Sequence, residues 1–256
     1  MDCRELSLLR LGAVSYVNAL PLLDGLADAP GVSLHLEPPA RVAVGLLEGR
    51  YDAGLVPAAA LLHNQELVAV GTACIASAGA VDSVLLLLST APQRVRRLSL
   101  DPESRSSQIL ARWVLQERHG ARPVPTERRV GEEALSCGDD AALVIGDKAL
   151  LALDQGTPCL DLGAEWFAAT GLPFVYAVWA VRRTNPELAQ IAARLDAAAA
   201  RGAANIAGHA LEAARRLALN PARCLVYLTR RIRYRFGDDE AAGLAHFLAE
   251  ARRLGA

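Results

Sequence analysis

Four clusters of polar residues in this 256-residue chain carry side chains that could hold a small ligand. Each cluster lies at an end of an apolar stretch that predicts a β-strand: three clusters follow such a stretch, and Ser83 directly precedes one. Because open α/β sheets bind ligands at the carboxyl ends of their strands, we expect the four clusters to face one cleft. The clusters are Ser15 with Asn18, Ser83, Ser104 to Ser107, and Gly146 with Asp147.

The run Ser104-Arg105-Ser106-Ser107 is the sharpest of these clusters, because it lies between a predicted strand and a predicted helix. The free N–H groups at a helix N-terminus favour negative charge, and an arginine can bind a carboxylate through two hydrogen bonds. Arg105, Ser106 and Ser107 therefore form a candidate anion site. The alternative is purely structural: a serine caps the helix and Arg105 pairs with a nearby carboxylate.

The other clusters have similar alternatives. Ser15 and Asn18 precede a helix that starts at Pro21, where a missing N–H costs nothing, so each side chain either contacts a ligand or caps that helix. Ser83 directly precedes a fully apolar predicted strand, and this position favours ligand contact. Asp147 follows a strand and a glycine, a pattern typical of a helix cap.

The composition excludes several classes of function. The chain is 52% hydrophobic and 21% charged, which predicts a sizeable buried core. The formal net charge is −1 and no basic run is interleaved with aromatic residues, so we expect no nucleic-acid partner. Lys148 is the only lysine in the sequence, and nothing else supports a Schiff-base mechanism.

The cysteines and histidines do not form the patterns of metal sites. The histidines lack H-x-x-x-H spacing, and the cysteines lack a C-x-x-C pair. An odd number of irregularly spaced cysteines argues against a disulfide framework and fits a reducing compartment. The cysteines are Cys3, Cys74, Cys137, Cys159 and Cys224.

Neither a targeting signal nor a membrane span is predicted. Residues 1–10 mix acids with bases and have no long apolar core, unlike a secretory signal. The apolar run at 81–88 is too short to cross a bilayer. We therefore expect a soluble cytoplasmic protein without a membrane partner.

Short predicted strands alternate with helices, which favours an α/β fold with helices flanking largely parallel sheets. The first predicted strand ends near residue 14. The others lie at 32–36, 51–57, 67–76, 84–89, 97–100, 141–145 and 171–181. The predicted helices lie at 41–48, 58–62, 108–119, 146–153, 186–218 and 239–254.

The long apolar strands 84–89 and 174–181 bracket a middle segment with its own strand–helix series. This arrangement predicts two lobes joined by two crossing strands, with a ligand cleft between them and Phe174 beside it. Residues 1–89 and 180–256 would form the first lobe, and residues 90–179 the second.

Six sequence motifs, given below in chain order, resemble those of the chorismate dehydratases of the futalosine route to menaquinone. The resemblance extends over nearly the whole chain and includes the C-terminal segment IRYRFGDDEAAGLAHFL (232–248). The joint occurrence of six motifs is far more specific than any one of them. The motifs are GAVSYVNALPL (12–22), YDAGLVPAAAL (51–61), SAGAVDSVLLLLS (77–89), LDPESRSSQIL (100–110), LVIGDKAL (143–150) and DLGAEWFAATGLPFVYAVW (161–179).

The resemblance implies a fold like that of type II periplasmic binding proteins. It also implies loss of water from chorismate to give 3-[(1-carboxyvinyl)oxy]benzoate, without a metal or organic cofactor. On this basis the anion site of Arg105, Ser106 and Ser107 would hold one carboxylate of chorismate. The residues expected to contact the other carboxylate or the departing hydroxyl are Ser15, Asn18 and Ser83, with Phe174 as a further substrate contact.

Two questions of mechanism and function stay open at this point. The proton acceptor is either Asp147 or the substrate's own enolpyruvyl carboxylate, with Asn18 positioning it. The main alternative to an enzyme is a non-catalytic cytoplasmic protein of the same fold that binds small carboxylates. The sequence also leaves open whether the chain forms a homodimer.

Overall fold

The computed structural model describes residues 8–127, 135 and 138–255 of the chain. Cys3, Cys137 and most of the N-terminal segment considered above as a secretory signal lie outside the described residues. The three described cysteines, Cys74, Cys159 and Cys224, are free thiols.

The described strands form two separate sheets, each of which defines one lobe. The sheet of lobe 1 has the strand order β11-β4-β10-β3-β1-β2, and that of lobe 2 the order β7-β6-β8-β5-β9. The strands of lobe 1 are β1 (Leu9–Ala13), β2 (Val32–Leu36), β3 (Ala53–Pro57), β4 (Leu67–Ser77), β10 (Phe174–Arg182) and β11 (Arg233–Arg235). The strands of lobe 2 are β5 (Val84–Leu88), β6 (Arg97–Leu100), β7 (Val124–Glu127), β8 (Ala141–Ile145) and β9 (Cys159–Asp161).

Helices pack against both sheets, and two short irregular helices lie near the lobe junction. The α-helices are α1 (Pro39–Leu47), α2 (Ala60–His63), α3 (Ser106–His119), α4 (Asp147–Asp154), α5 (Leu162–Thr170), α6 (Leu188–Ala204), α7 (Ile206–Leu217), α8 (Pro221–Val226) and α9 (Asp238–Arg253). The irregular helices are the 3-10 helix Val17–Leu22 and the π-helix Tyr227–Arg231. A further 3-10 turn spans Pro92–Arg94.

The predicted two-lobed α/β fold is confirmed, but of the two predicted crossing strands the one at 84–89 does not connect the lobes. The strands β4 and β10 pair antiparallel within lobe 1, with Ser77 opposite Phe174. The chain leaves lobe 1 after Ser77 and returns to it at Phe174. The segment at 84–89 is instead β5, in the sheet of lobe 2, because an all-apolar strand is equally typical of a central strand.

The sheets therefore divide the chain near Ser77 and Phe174, rather than at the predicted boundaries near 89 and 180. Several shorter elements also differ from the prediction. The long helix expected at 186–218 breaks at Asn205 into α6 and α7. Among the strands and α-helices, the elements that the sequence patterns missed are β7, β9, β11, α5 and α8.

One continuous apolar core runs through both lobes. An aromatic cluster within it connects α3, α5, β10 and α9, with Trp166 fully buried at its centre. The ring of Phe174 packs 5.3 Å from that of Trp166 and 4.8 Å from that of Tyr176, measured between centroids. This cluster supports the end of β10, which forms part of the pocket described below.

Helix α6 fixes the 3-10 helix Val17–Leu22 through a close approach at Gly202. A Cβ atom at position 202 would lie 1.8 Å from the carbonyl oxygen of Pro21, so no larger residue fits without movement of the backbone. The 3-10 helix carries Asn18, and its position therefore depends on this contact.

We expect Gly202→Ala to lower the free energy of unfolding by about 2 kcal/mol or more, because the methyl group meets backbone that cannot rotate away. In an uncrowded helix the same change would stabilise by up to about 1 kcal/mol. Gly208→Ala in α7 is the matched control, since its Cβ would meet the tip of the Asn205 side chain at 2.4 Å, which can move. Urea denaturation of both variants measures the difference, and equal stability of the two would contradict the packing argument.

Candidate active site

A pocket lies between the lobes and contains about 550 Å³ of space, including the part open to solvent. Its walls come from both lobes, and apolar residues outnumber polar ones. The lining residues from lobe 1 are Val14, Tyr16, Asn18, Pro39, Leu55, Pro57, Ile75, Tyr176 and Ala177. Those from lobe 2 are Ser83, Val84, Ser104, Ser106, Ser107, Ile145 and Gly146.

Asn18 and Ser83 contribute unpaired polar atoms to this pocket. Asn18 is 9% exposed and Ser83 is 1% exposed. The Oδ1 atom of Asn18 and the Oγ atom of Ser83 are buried without a hydrogen-bond partner among the described residues. A buried polar atom without a partner costs free energy, so both atoms are suited to hydrogen bonds with a bound ligand.

Two of the three pocket serines near the start of α3 accept hydrogen bonds from backbone N–H groups. The Oγ atom of Ser104 accepts from the N–H of Ser107 at 3.2 Å. The Oγ atom of Ser106 accepts from the N–H of Ala59, in the other lobe, at 3.0 Å. Neither bond uses the hydroxyl proton, which can be donated to a ligand. Together with the partial positive charge at the start of α3, these groups are suited to an anion.

No charged side chain lines the pocket within the part of the chain that the structure describes. Arg105, predicted to bind a carboxylate, is exposed and lies outside the pocket. The reason is the geometry of the helix, in which successive side chains are rotated by about 100° around the axis. When Ser106 and Ser107 face the pocket, Arg105 therefore faces solvent. An anion in this pocket would therefore meet hydroxyl groups and the partial positive charge at the start of α3, without a charged side chain from the described lining.

Asp147 also lies outside the pocket, and its carboxylate is already engaged. Its Oδ1 atom accepts from the N–H of Val17 at 3.0 Å, and Arg216 lies 3.8 Å from its Oδ2 atom. Burial raises the pKa of Asp147, while the hydrogen bond from Val17 and the charge of Arg216 act to lower it. Asp147 thus caps the 3-10 helix of the opposite lobe, not its own helix.

Two further predicted substrate contacts do not line the pocket. The side chain of Ser15 is exposed, and its carbonyl oxygen accepts from Arg216 at 2.6 Å. Phe174 is fully buried in the aromatic cluster and packs behind Tyr176, which takes the position beside the pocket. Of the predicted substrate-binding set, the structure brings together Asn18, Ser83, Ser106 and Ser107.

Sequence patterns missed two tyrosines that form the walls of the pocket. Tyr176 is the extra residue of a β-bulge, where Val175 and Ala177 of β10 oppose adjacent residues of β4. Such a bulge redirects a side chain, and alternation along the strand does not reveal it. Tyr16 lies within the SYVN motif, in which sequence patterns predicted ligand contacts only for Ser15 and Asn18.

Each tyrosine is held through its hydroxyl group. That of Tyr176 lies 3.0 Å from Oγ of Ser77, which donates to the carbonyl of Gly79. The hydroxyl of Tyr16 donates to Oε2 of Glu103 at 3.3 Å, across the cleft. The ring of Tyr16 rests on Gly146, where a Cβ atom would lie 2.7 Å from it.

The two lobes are in direct contact around the pocket. Hydrogen bonds join the lobes at Ala59 with Ser106, at Val17 with Asp147 and at Tyr16 with Glu103. All three bonds involve residues in or next to the pocket.

This arrangement of two lobes around a pocket is that of periplasmic-binding-protein-like folds, and solved structures confirm it. Protein AF1704 of Archaeoglobus fulgidus matches with a TM-score of 0.78 and 16% identity, over 98% of this chain and 99% of that one. The alkanesulfonate-binding protein SsuA of Xanthomonas axonopodis pv. citri, bound to MOPS, matches with a TM-score of 0.70 and 18% identity, over 96% and 92% of the two chains. These likenesses define the class of fold.

The chain belongs to the menaquinone biosynthesis family, whose model matches residues 9–253. It is also 33% identical to the chorismate dehydratase of Thermus thermophilus, over 95% of each chain. The resemblance to this family found in the sequence motifs is thereby confirmed. Among the described residues, none of the helices combines the length and apolar character needed to span a bilayer.

The raised pKa of Asp147 has a consequence for stability. The folded protein binds this proton more tightly than the unfolded chain does. The group's contribution to stability is therefore fully present at low pH and is lost as the pH rises through the folded-state pKa. We expect Asp147→Asn, which keeps an oxygen acceptor for Val17, to melt at a higher temperature than the wild type at about pH 7.5, with the gain shrinking toward about pH 4.

Thermal melts across this pH range measure the effect. The control is Asp154→Asn on the same helix, which removes an ion pair with Arg223 and should give no gain at neutral pH. A melting-temperature difference for Asp147→Asn that is constant with pH, or negative near neutrality, would contradict this account.

Proposed function

We propose that this protein is a chorismate dehydratase. It removes water from chorismate to give 3-[(1-carboxyvinyl)oxy]benzoate, as a carbon–oxygen lyase in the cytoplasm, on the futalosine route to menaquinone. The family membership and the relative from Thermus thermophilus support the reaction. The observation that carries the proposal is the pair of unpartnered oxygen atoms of Asn18 and Ser83, in the same pocket as the hydroxyl groups and N-terminus of α3.

This distribution of polar groups matches the polar groups of chorismate. As a dianion, chorismate has two carboxylates and one ether that only accept hydrogen bonds, and its ring hydroxyl is its one donor. The donor-rich start of α3, with Ser104, Ser106 and Ser107, suits a carboxylate. The Oδ1 atom of Asn18 only accepts hydrogen bonds, so it suits the hydroxyl that leaves. The apolar walls take the carbon ring.

The reaction depends on the orientation of chorismate in the pocket more than on a strong acid or base. The proton is lost from the ring carbon that bears the enolpyruvyl ether, and charge spreads through the diene onto the ring carboxylate. The neighbouring C–O bond then breaks, hydroxide departs and takes up a proton to become water, and the ring becomes aromatic. Fixed dipoles at the ring carboxylate lower the barrier because they stabilise the charge as it develops.

The geometry favours the substrate's own enolpyruvyl carboxylate as the proton acceptor. Asp147, the alternative, lies outside the pocket and accepts a hydrogen bond from Val17. We assign Asp147 a positioning role, because its bond to Val17 fixes the segment that carries Asn18. Asn18 orients the substrate and is not a base.

The direct test is incubation of the purified protein with chorismate, with release of an aromatic product followed by ultraviolet absorbance and chromatography. We expect 3-[(1-carboxyvinyl)oxy]benzoate to accumulate in proportion to the protein added, and none to form with heat-inactivated protein. Tight binding of chorismate without an aromatic product would overturn the enzyme and support the non-catalytic carboxylate-binding protein instead.

Two substitutions distinguish the possible proton acceptors. We expect Asp147→Asn to keep kcat within about threefold of the wild type, whereas loss of a general base costs about 100-fold or more. Asn18→Asp should lower kcat/KM at least about 100-fold, because it places an unpaired negative charge beside a dianion. A collapse of turnover in Asp147→Asn with normal chorismate binding would identify Asp147 as the base, and high activity of Asn18→Asp would exclude the orienting role of Asn18.

A further inference from the structure

The carboxylate of Asp161 holds the segment that leads into Ser83, although Asp161 does not itself line the pocket. Asp161 is the last residue of β9, where it pairs with Leu85 of the neighbouring strand β5. Its Oδ2 atom accepts from the backbone N–H of Val81 at 2.9 Å and from that of Asp82 at 2.7 Å. These are the two residues directly before Ser83, so the carboxylate fixes the backbone from which Ser83 enters β5.

The same carboxylate also caps helix α5, but capping alone does not account for it. The Oδ1 atom of Asp161 accepts from the N–H of Ala164 at 3.0 Å, as a helix cap does. One oxygen atom is enough for a cap, and serine or asparagine provides it as well as aspartate. The second oxygen atom bonds the segment 81–83, and a charged acceptor makes such bonds stronger.

The segment 81–83 needs support because its backbone is strained. Asp82 has a φ angle of +62°, in the left-handed region that residues with a side chain rarely adopt. Besides the bond from its N–H to Asp161, its own side chain accepts from Nε of Arg231 at 3.0 Å. Strained conformations persist only where the surroundings determine them, and they cluster at functional sites.

The direction of the Ser83 hydroxyl depends on this backbone. The carbonyl oxygen of Ser83 accepts from the N–H of Gly146 at 2.8 Å, so the residue is also fixed from the side of β8. Its side chain lines the pocket and is 1% exposed, and its Oγ atom has no hydrogen-bond partner among the described residues. With no such bond of its own, the hydroxyl is aimed by the segment that carries it.

We infer that Asp161 is a positioning residue for the dehydration, which holds the segment 81–83 in the conformation that presents the Ser83 hydroxyl to the pocket. There Ser83, together with Asn18, would meet the hydroxyl group that leaves the substrate. Asp161 acts through the backbone of this segment and does not touch the substrate. The inference rests on the proposed function, because it names what orients one of the groups assigned to the reaction.

The test compares Asp161→Asn with Asp140→Asn. Asp140 is a matched control in the same lobe, since its carboxylate also accepts from two consecutive N–H groups, those of Arg96 and Arg97, at 2.8 and 3.0 Å. It does not line the pocket. We expect Asp161→Asn to lower kcat about tenfold or more with KM within about twofold of the wild type, because one amide oxygen cannot replace two carboxylate oxygens. Asp140→Asn should leave both constants unchanged, and equal kcat values for the two variants would overturn the inference.

A second variant, Asp161→Ser, separates the cap from the segment. Serine still caps α5, but its side chain is shorter by one atom and does not reach both N–H groups of the segment. We expect a loss of kcat at least as large as that of Asp161→Asn. If neither Asp161 variant folds while Asp140→Asn does, the carboxylate maintains the fold as a whole and the inference is overturned.

A double-mutant cycle and amide hydrogen exchange complete the test. In a Ser83→Ala background, Asp161→Asn should cause almost no further loss of kcat, because the group it positions is gone, and fully additive losses would overturn the inference. The amides of Val81 and Asp82 should exchange faster in Asp161→Asn, and unchanged exchange would also overturn it. This readout needs no activity, so it stands apart from a wild-type protein that forms no aromatic product, which would overturn the proposed function.

Discussion

The antiparallel pairing of β4 with β10 is the interaction on which the pocket and both lobes depend. It brings the two passages of the chain between the lobes together, with Ser77 opposite Phe174. The bonds from Tyr176 to Ser77 and from Ser77 to Gly79 extend this pairing into the first connection. The two connections between the lobes therefore lie side by side, next to the pocket wall formed by Ile75, Tyr176 and Ala177.

The pocket is proposed to bind a dianion, yet its described lining offers no positively charged side chain. The stabilisation would therefore come from oriented hydroxyl groups and the start of α3. These dipoles are held by bonds to backbone N–H groups, including that of Ala59 from the other lobe. Because they are fixed before the substrate binds, they need little reorganisation as charge moves onto the ring carboxylate.

Sequence patterns located much of this site but not its details. Strand–helix alternation predicted that Asn18, Ser83, Ser106 and Ser107 would meet, because all of them lie near the ends of predicted strands. Alternation could not show which way Arg105 turns, since that depends on the phase of α3. It also could not reveal Tyr176, which a β-bulge redirects, because the bulge depends on the pairing of β10 with β4.

The start of α3 and the pair of Asn18 and Ser83 would bind different groups of the substrate, and this difference bears on how the product would leave. Dehydration keeps both carboxylates, so the start of α3 would bind the aromatic product much as it binds chorismate. The group that is lost is the hydroxyl assigned to Asn18 and Ser83. The water formed would remain between these two residues, and the flattened ring would no longer reach them. Release of the product would therefore begin at Asn18, on lobe 1, while lobe 2 still held its carboxylate.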